Sequence, residues 1–235
     1  GKEKYCLRLS EIRFDKRKAV GILQIGIPSA FQYSLFAFAN LFVQSSVNSF
    51  DHVLVEGNSA AANADPLVYD MMAAFYTACS SFIAQNFGAR KKKRILQTYL
   101  ICLFYSFITS LVLGVGIYLA RYPFLYLFTS DKAVVEAGIT RLSIMALSYS
   151  ASAFMDASIA ASRGLGKTAV PTFVVVMGSC VFRIIWIYTI FAYFHTIQSL
   201  YILYVFSWGI TAIAENIYFF HVYRHTLTGK TESHL

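Results

Sequence analysis

Four carboxylates lie inside long apolar stretches of this chain, where lipid is the expected surrounding. They are Asp65, Asp70, Asp156 and Glu215, and one guanidinium, that of Arg183, has the same kind of position. A charged side chain at membrane depth costs on the order of several kcal/mol, so such residues are by default sites for an ion, a proton or a polar substrate. The sequence therefore predicts charge-dependent chemistry inside a membrane.

Asp156 shares one face of its predicted helix with a row of polar residues. Tyr149, Ser152 and Arg163 fall on the same face, and the row runs to one end of the helix. This pattern favours Asp156 and Tyr149 as cation- or substrate-binding residues. The alternative is structural, with Asp156 in a buried ion pair with Arg183 or Arg163.

Asp65 and Asp70 lie in one apolar run and are further candidates for cation or substrate binding. Five residues separate them by about 140° on an α-helix, so they share a face only if the helix is broken. We expect one of them to face a cavity. The pair Asp65–Pro66 is also a common helix start.

The remaining two charges are better candidates for ion pairs. Arg183 is interpreted as the partner of one of the carboxylates. Glu215 shares a helix face with Ser207 and Thr211, and this pattern allows either a structural role or a part in a proton relay.

A polar stripe follows the first apolar run. Gln32, Asn40, Gln44 and Asn48 are spaced by multiples of four residues, with Phe36 completing the series. The stripe either forms hydrogen bonds between helices or lines a wet cavity, in which case Asn40 and Gln44 contact the substrate.

These residues are positioned by six runs long enough to span a bilayer as helices. Hydrophobic residues make up 57% of the chain and charged residues 14%, against roughly a quarter charged in an ordinary soluble domain. The fold class is therefore an all-α membrane protein, with spans at residues 20–48, 57–87, 95–120, 142–162, 170–194 and 199–222. Small residues in these runs, among them Gly114 and Gly116, would let helices approach closely.

The net charge of +8 reflects membrane orientation rather than nucleic-acid binding. Sixteen of the twenty basic residues fall before the first run, after the second, after the fourth or after the sixth. Only Arg121, Lys132 and Arg141 fall on the opposite side, in the stretch between the third and fourth runs. By the positive-inside rule, both termini are cytoplasmic.

Two patterns resemble binding motifs, one for phosphate and one for a metal ion, but each lacks a part that the motif requires. Residues 161–168 fit a relaxed phosphate-loop pattern, but an apolar helix precedes them where that loop needs a strand. His221 and His225 are four residues apart without a third ligand. We expect no metal and no cofactor.

Several motifs together resemble those of the multidrug and toxic compound extrusion (MATE) family. They are Ile-Gly-Ile-Pro at residues 25–28, Gln-Ser-Ser-Val-Asn-Ser-Phe at 44–50, Gly-Asn-Ser-Ala-Ala-Ala-Asn at 57–63, Phe-Ile-Ala-Gln-Asn-Phe-Gly-Ala at 82–89 and Arg-Gly-Leu-Gly-Lys-Thr-Ala-Val-Pro at 163–171. The resemblance covers residues 13–224 in order, and the combination is specific although each motif alone is weak.

The resemblance implies one half of a transporter with two lobes of six helices. Residues 1–19 would be the cytoplasmic linker between lobes, 20–223 helices seven to twelve, and 224–235 a cytoplasmic tail. The N-terminal lobe would then be a missing partner and the chain a fragment.

The resemblance further implies export of cationic or amphipathic compounds across the plasma membrane by antiport with Na⁺ or H⁺. Asp156 and Asp65 lie where similar transporters carry acidic residues. Asp65–Pro66, Asp70 and Ala84 depart from the family pattern and leave the role of the second span open.

Three alternatives remain beside coupled export. A flippase for lipid-linked sugars of the same superfamily would be expected to favour cationic side chains, whereas four acids accompany one base in the runs. Tyr69-Asp70 resembles the Tyr-Asp of intramembrane aspartyl proteases, but their second motif, Gly-x-Gly-Asp, is missing, so we expect no enzyme. A purely structural membrane subunit is the third.

Overall fold

The structure, a computed structural model, describes residues 15–226, and within this range the chain forms helices and no strands. Six segments in this range are long and apolar enough to cross a membrane, namely Lys16–Val47, His52–Gly88, Lys92–Leu119, Lys132–Gly164, Ala169–Phe194 and Ile197–His225. The predicted all-α membrane fold is confirmed. The helices are α1 (Lys16–Val47), α2 (His52–Ala62), α3 (Ala64–Gly88), α4 (Lys92–Leu119), α5 (Arg121–Tyr126), α6 (Lys132–Gly164), α7 (Ala169–Phe194) and α8 (Ile197–His225).

The second span is divided at Asn63 into α2 and α3. The Asn63 side chain donates to the carbonyl oxygens of Ser59 and Ala60, each at 3.1 Å, which satisfies acceptors at the end of α2. Asp65 and Pro66 then stand in the first turn of α3. Pro is tolerated there because the first N–H groups of a helix have no partner within it.

The fourth span begins ten residues earlier than the apolar run predicts. Asp131 caps α6 by accepting a hydrogen bond from the backbone N–H of Ala133 at 2.8 Å. Arg141, assigned above to an external loop, is therefore inside α6 and buried. The prediction failed because a purely apolar criterion ends at Arg141, whereas α6 is surrounded mainly by other helices, which can pair a charge.

Helix α6 is the centre of the fold and packs against α2, α3, α4 and α8. Two of its close contacts illustrate positions that require glycine. A β-carbon at Gly57 would lie 2.8 Å from the backbone nitrogen of Gly138, and one at Gly114 would overlap the carbonyl oxygen of Ala146. The predicted close approach at Gly114 is confirmed, but that at Gly116 is wrong, since no neighbouring atom lies within 4 Å.

Helices α1 and α7 complete the bundle less regularly. Only 12% of the most apolar window of α1 is buried, and Pro28 lies within the helix. Helix α7 contains two π-helical turns, Val176–Val181 and Ile187–Phe191, with Arg183 in the α-helical turn between them. Such turns are often found at functional sites.

Candidate functional site

A cavity of about 1130 Å³ opens among the helices. Its lining comes from α1, α2, α3, α6, α7 and α8, and α4 contributes none of it. The volume is slightly above the range of about 300–1,000 Å³ that is typical of small-molecule sites. Among its lining residues, the charged ones are Asp65, Asp156, Arg141, Arg163 and Arg183.

Asp65 is held by two donors from α6. The Arg141 Nη2 atom lies 2.5 Å from one carboxylate oxygen, and the Tyr149 hydroxyl donates to the other at 2.5 Å. The Arg141 Nη1 atom also donates to the side-chain oxygen of Asn58 on α2 at 2.7 Å. Because both Asp65 oxygens and two nitrogens of Arg141 are used, this network joins α2, α3 and α6.

Asp156 lines the same cavity but, unlike Asp65, is not held by hydrogen-bond donors of the described helices. Its side chain is half-buried, and among the described residues no donor lies within hydrogen-bond distance of its carboxylate. The aromatic residues Tyr69 and Tyr76 line the cavity with it. Asp156 is therefore the carboxylate of the cavity that remains open to a ligand.

The other two arginines of the cavity bind amides of α1. Arg163 donates to the Gln32 side-chain oxygen at 2.8 Å, and Arg183 donates to the Asn40 side-chain oxygen at 2.8 Å. Arg183 also donates to the Ser207 hydroxyl at 3.3 Å. The predicted ion pairs of Arg183 and Arg163 are not formed among the described residues, since the polar stripe of α1 supplies amide oxygens in place of carboxylates.

The guanidinium of Arg183 is further enclosed by aromatic rings. Its central carbon lies 4.5 Å from the centroid of the Tyr204 ring and 5.2 Å from that of Phe36. A cation over an aromatic face is stabilised by the ring quadrupole, more so where water is excluded. This contact compensates in part for the missing carboxylate at a side chain that is 1% exposed.

The polar stripe of α1 lines the cavity as one of its two interpretations predicts. Gln32, Asn40 and Gln44 are lining residues, and Phe36 lies between them. Gln44 donates to the side-chain oxygen of Asn48 one turn further along at 2.8 Å. The stripe also provides contacts between helices, so both interpretations describe part of what it does.

Three predicted residues, Asp70, Glu215 and Tyr149, do not line the cavity. Asp70 is exposed and absent from the cavity lining. Glu215 is fully buried between helices, and neither carboxylate oxygen has a hydrogen-bond partner among the described residues. Tyr149 also lies behind the wall but reaches the site through its hydrogen bond to Asp65.

Sequence analysis missed Arg141 and much of the aromatic lining. Arg141 lies two turns before Tyr149 on α6, and extending the predicted helix by a single residue would have included Arg141 on the same side as Tyr149. Tyr204 and Trp208 come from α8 and contact each other with ring centroids 5.5 Å apart. Their spacing of four is common on any core helix, so nothing in the sequence distinguishes them.

The charge balance of the cavity also differs from that of the apolar runs. The lining contains two carboxylates and three guanidinium groups, because Arg141 and Arg163 join it while Asp70 and Glu215 do not. After the pairing of Asp65 with Arg141, one carboxylate faces two arginines. Within residues 15–226 no group of three or more His, Cys, Asp and Glu side chains is arranged to hold a metal ion.

Comparison with known families decides what kind of membrane protein carries this cavity. The MatE family model matches residues 28–189, more than half of the chain. The chain belongs to the MatE family. Comparison with the curated proteins finds no match of comparable significance.

Solved structures support the same fold. A MATE structure in the straight conformation is similar with a TM-score of 0.86 and 17% identity, over 95% of this chain and 50% of that one. The Vibrio cholerae MATE transporter VcmN in the bent form matches with a TM-score of 0.81 and 18% identity, over 91% and 49%.

A third similar structure is a MOP superfamily transporter from Pyrococcus furiosus, described as having a binding pocket of reverse polarity. Its TM-score is 0.85 at 18% identity, over 95% of this chain and 50% of that one. The chain spans about half the length of these structures, and its fold is that of one lobe of a MATE-like transporter.

Proposed function

We propose that this chain is the C-terminal lobe of a secondary active exporter, which moves cationic or amphipathic compounds out of the cell in antiport with Na⁺ or H⁺. The single observation that carries the proposal is Asp156, a half-buried carboxylate in the cavity without a donor among the described residues. A carboxylate in this state can bind either a cationic group of the cargo or the coupling ion. Competition between the two gives exchange.

The second lobe of the transporter is the partner that this proposal requires. An alternating-access cavity lies between two repeats that move against each other, and this chain has the fold of one lobe. In the proposed arrangement the protein is in the plasma membrane, and both ends of this chain are cytoplasmic.

Export by the transporter that joins both lobes tests the role of Asp156. In liposomes, Asp156→Asn should abolish gradient-driven export of a fluorescent organic cation, because the amide keeps the size of the side chain but not its charge. Asp70→Asn is the matched control, since Asp70 is exposed and outside the cavity lining, and it should export normally. Normal export by Asp156→Asn would overturn the proposal.

Detergent melting temperatures of the same variants distinguish coupling from structure. Asp156 accepts no hydrogen bond from the described residues, so its replacement by Asn should leave the melting temperature nearly unchanged. A large decrease together with lost export would instead indicate a structural carboxylate. This chain alone should show no export in the same liposomes.

The arginines of the cavity favour a second candidate, a flippase for anionic lipid-linked cargo. Three guanidinium groups line the cavity with two carboxylates, and arginine binds phosphate groups bidentately. A cavity lining with more guanidinium groups than carboxylates would be similar to the binding pocket of reverse polarity that is described for the Pyrococcus furiosus transporter. Competition assays discriminate the two: an organic cation should inhibit export under the first proposal, and a lipid pyrophosphate should inhibit it under the second.

A further inference from the structure

The turn between α3 and α4 carries a run of positive charge that no nearby acid of the sequence balances. Residues 90–94 are all Arg or Lys, and no Asp or Glu occurs between Asp70 and Asp131. Neither Lys91 nor Arg94 forms an ion pair with any residue that the structure describes. A concentrated charge of this kind attracts anions from outside the chain.

The residues of this run have different roles. Lys92 donates to the backbone carbonyl oxygen of Arg224 at 2.8 Å, and its ammonium nitrogen lies 5.3 Å from the centroid of the Tyr223 ring. These contacts join the start of α4 to the end of α8. Lys91 and Arg94 instead line a second cavity, about 480 Å³ in volume, between α3 and α4. The positive-inside rule explains the charge of the run, but it does not explain this cavity.

The turn that joins α3 to α4 is tight and held by hydrogen bonds. Arg90 has a left-handed backbone conformation with a φ of 54°, and the N–H of Lys91 donates to the Asn86 carbonyl oxygen at 2.9 Å. The Asn86 side chain donates to the carbonyl oxygen of Phe82 at 2.8 Å and to the hydroxyl of Thr98 on α4 at 3.5 Å. The cavity therefore does not depend on a ligand to bring the two helices together.

The lining of this second cavity changes from charged to apolar along the helices. Lys91 and Arg94 lie at the start of α4, and no described residue of the lining is acidic. Ile101 lies roughly 13 Å further along α4 than Lys92, and like Phe82 on α3 it lines the cavity and is 55% exposed. The cavity thus presents cations at the ends of the spans and apolar side chains toward the hydrocarbon core.

The position of the second cavity relative to the membrane matches that of a lipid headgroup. The second span ends at Gly88 and the third begins at Lys92, so the cations lie at the boundary of the hydrocarbon core. Helix α4 contributes none of the described lining of the large cavity, and its exposed side includes Leu100 and Phe104. Basic pockets between membrane helices bind anionic lipid headgroups, and the expected orientation places this turn at the anionic cytoplasmic leaflet.

We propose that the cavity between α3 and α4 binds the phosphate group of an anionic phospholipid. Lys91 and Arg94 pair with the phosphate oxygens, and the amide of Gln97, another lining residue, is available to the rest of the headgroup. One acyl chain lies against Phe82 and Ile101. A choline headgroup adds a cation that the two basic residues repel, so the site selects anionic lipids. This inference is independent of the cargo and of the coupling ion.

Native mass spectrometry of the full chain in detergent tests the site, with dioleoyl phosphatidylglycerol and dioleoyl phosphatidylcholine as the added lipids. Wild type should prefer phosphatidylglycerol. Lys91→Gln with Arg94→Gln should weaken that binding about thirtyfold, since each basic residue near an anionic lipid contributes about 1 kcal/mol. Phosphatidylcholine binding should not change.

A second double variant of the same run is the matched control. Arg90→Gln with Lys93→Gln removes the same charge, but neither residue lines the cavity, so this variant should bind phosphatidylglycerol nearly as wild type does. Equal weakening in the two double variants would show that the charge of the run attracts lipid without a site. That result, or a wild type without preference for phosphatidylglycerol, would overturn the proposal.

Melting temperatures separate binding from folding. Without lipid, Lys91→Gln with Arg94→Gln should melt close to wild type, because both side chains are exposed. Phosphatidylglycerol should raise the melting temperature of wild type but not of this variant, since a ligand stabilises the folded state that binds it. Lys91→Arg with Arg94→Lys keeps both charges and should restore the increase. An equal increase in wild type and in the Gln variant would contradict the proposal.

Soluble competitors distinguish a lipid from other anions. Glycerol phosphate and sodium phosphate carry the charge without an acyl chain, so they should displace phosphatidylglycerol at least about tenfold less effectively than a second anionic lipid does. An oligoglutamate peptide should not displace it. Displacement by phosphate as effective as that by lipid would indicate a site for a free anion, and displacement by the peptide a site for an acidic protein segment. Either result would overturn the proposal.

Discussion

The two sides of the cavity hold their arginines differently. On the side formed by α2, α3 and α6, Arg141 is bonded to the carboxylate of Asp65, and Tyr149 and Asn58 complete the network. On the side formed by α1, the arginines of α6 and α7 are bonded only to neutral groups, the amides of Gln32 and Asn40 and the hydroxyl of Ser207. An ion pair between buried groups is costly to break, whereas an amide acceptor can be exchanged for another acceptor or for water.

The helix packing shows the same difference. Gly57 and Gly114 place backbone against backbone where α2 and α4 contact α6, and α6 itself is two-thirds buried in its most apolar window, at 67%. The corresponding value for α1 is 12%. Helices α2, α3, α4 and α6 thus form a firm unit, and the polar contacts of α1 with α6 and α7 are the exchangeable bonds of Gln32 and Asn40. The rest of the attachment of α1 is apolar, because Val43 and Val47 pack against α7 and α8.

Breaking the ion pair of the firm unit should have the largest effect. Arg141→Met removes the charged partner of Asp65 and leaves a carboxylate of 27% side-chain exposure without its cation. We expect a loss of unfolding free energy of about 3 kcal/mol, the lower end of the range for broken buried pairs because Asp65 is partly exposed. Denaturation in detergent measures it, and a loss below that of Asn40→Leu would contradict the comparison.

A pair of glycines two residues apart tests the packing of the same unit. Gly114→Ala directs a methyl group into the carbonyl oxygen of Ala146, while Gly116→Ala has no atom within 4 Å. The first should lower the unfolding free energy by about 1–3 kcal/mol. The second should raise it slightly, by roughly 0.5 kcal/mol, because alanine favours the helix. Equal effects would show that α4 does not pack as described.

Releasing α1 should have a smaller effect on stability for each contact removed than Arg141→Met, and a larger effect on accessibility. Gln32→Leu with Asn40→Leu removes both amide acceptors, and each loss should cost about 1–2 kcal/mol. A single cysteine at Ala37, on the cavity lining, should react faster with a soluble thiol reagent in this double variant than in Arg141→Met. The opposite order of labelling rates would mean that α1 is not the mobile side.

Cysteine substitutions in the loops at the ends of the firm unit should have the smallest effect on stability, because they change no packing between helices. We expect residues 90–94 to be cytoplasmic and the loop around Asp51 to be external, from the distribution of basic residues. On intact cells an impermeant thiol reagent should label a cysteine at position 51 and not one at position 92. The reverse pattern would invert the orientation of the whole cavity.

Much of this arrangement follows from the sequence alone. Apolar length predicts six spans, and the four-residue spacing of Gln32, Asn40 and Gln44 predicts a stripe that does line the cavity. Asp65 is predicted as a site candidate and does lie in the cavity wall. Its role as a binding residue, like that of Asp156, stays a prediction.

The pairing of charges could not be predicted. Arg141 and Asp65 are 76 positions apart, and the partner of a buried charge depends on which helices become neighbours. Arg183 illustrates the same limit, because an amide 143 positions away and two aromatic rings take the place of the expected carboxylate. Helix periodicity gives the face on which a residue lies, but not the residue that it faces.

The length of α1 makes the cavity sensitive to the thickness of the membrane. Its 32 residues extend about 48 Å at 1.5 Å per residue, compared with a hydrocarbon core of about 30 Å. A helix of this length must tilt, bend at Pro28 or extend beyond the core, and a change in bilayer thickness alters how far it does so. Because Gln32 and Asn40 lie on this helix, we expect the thickness of the bilayer to affect their contacts with Arg163 and Arg183.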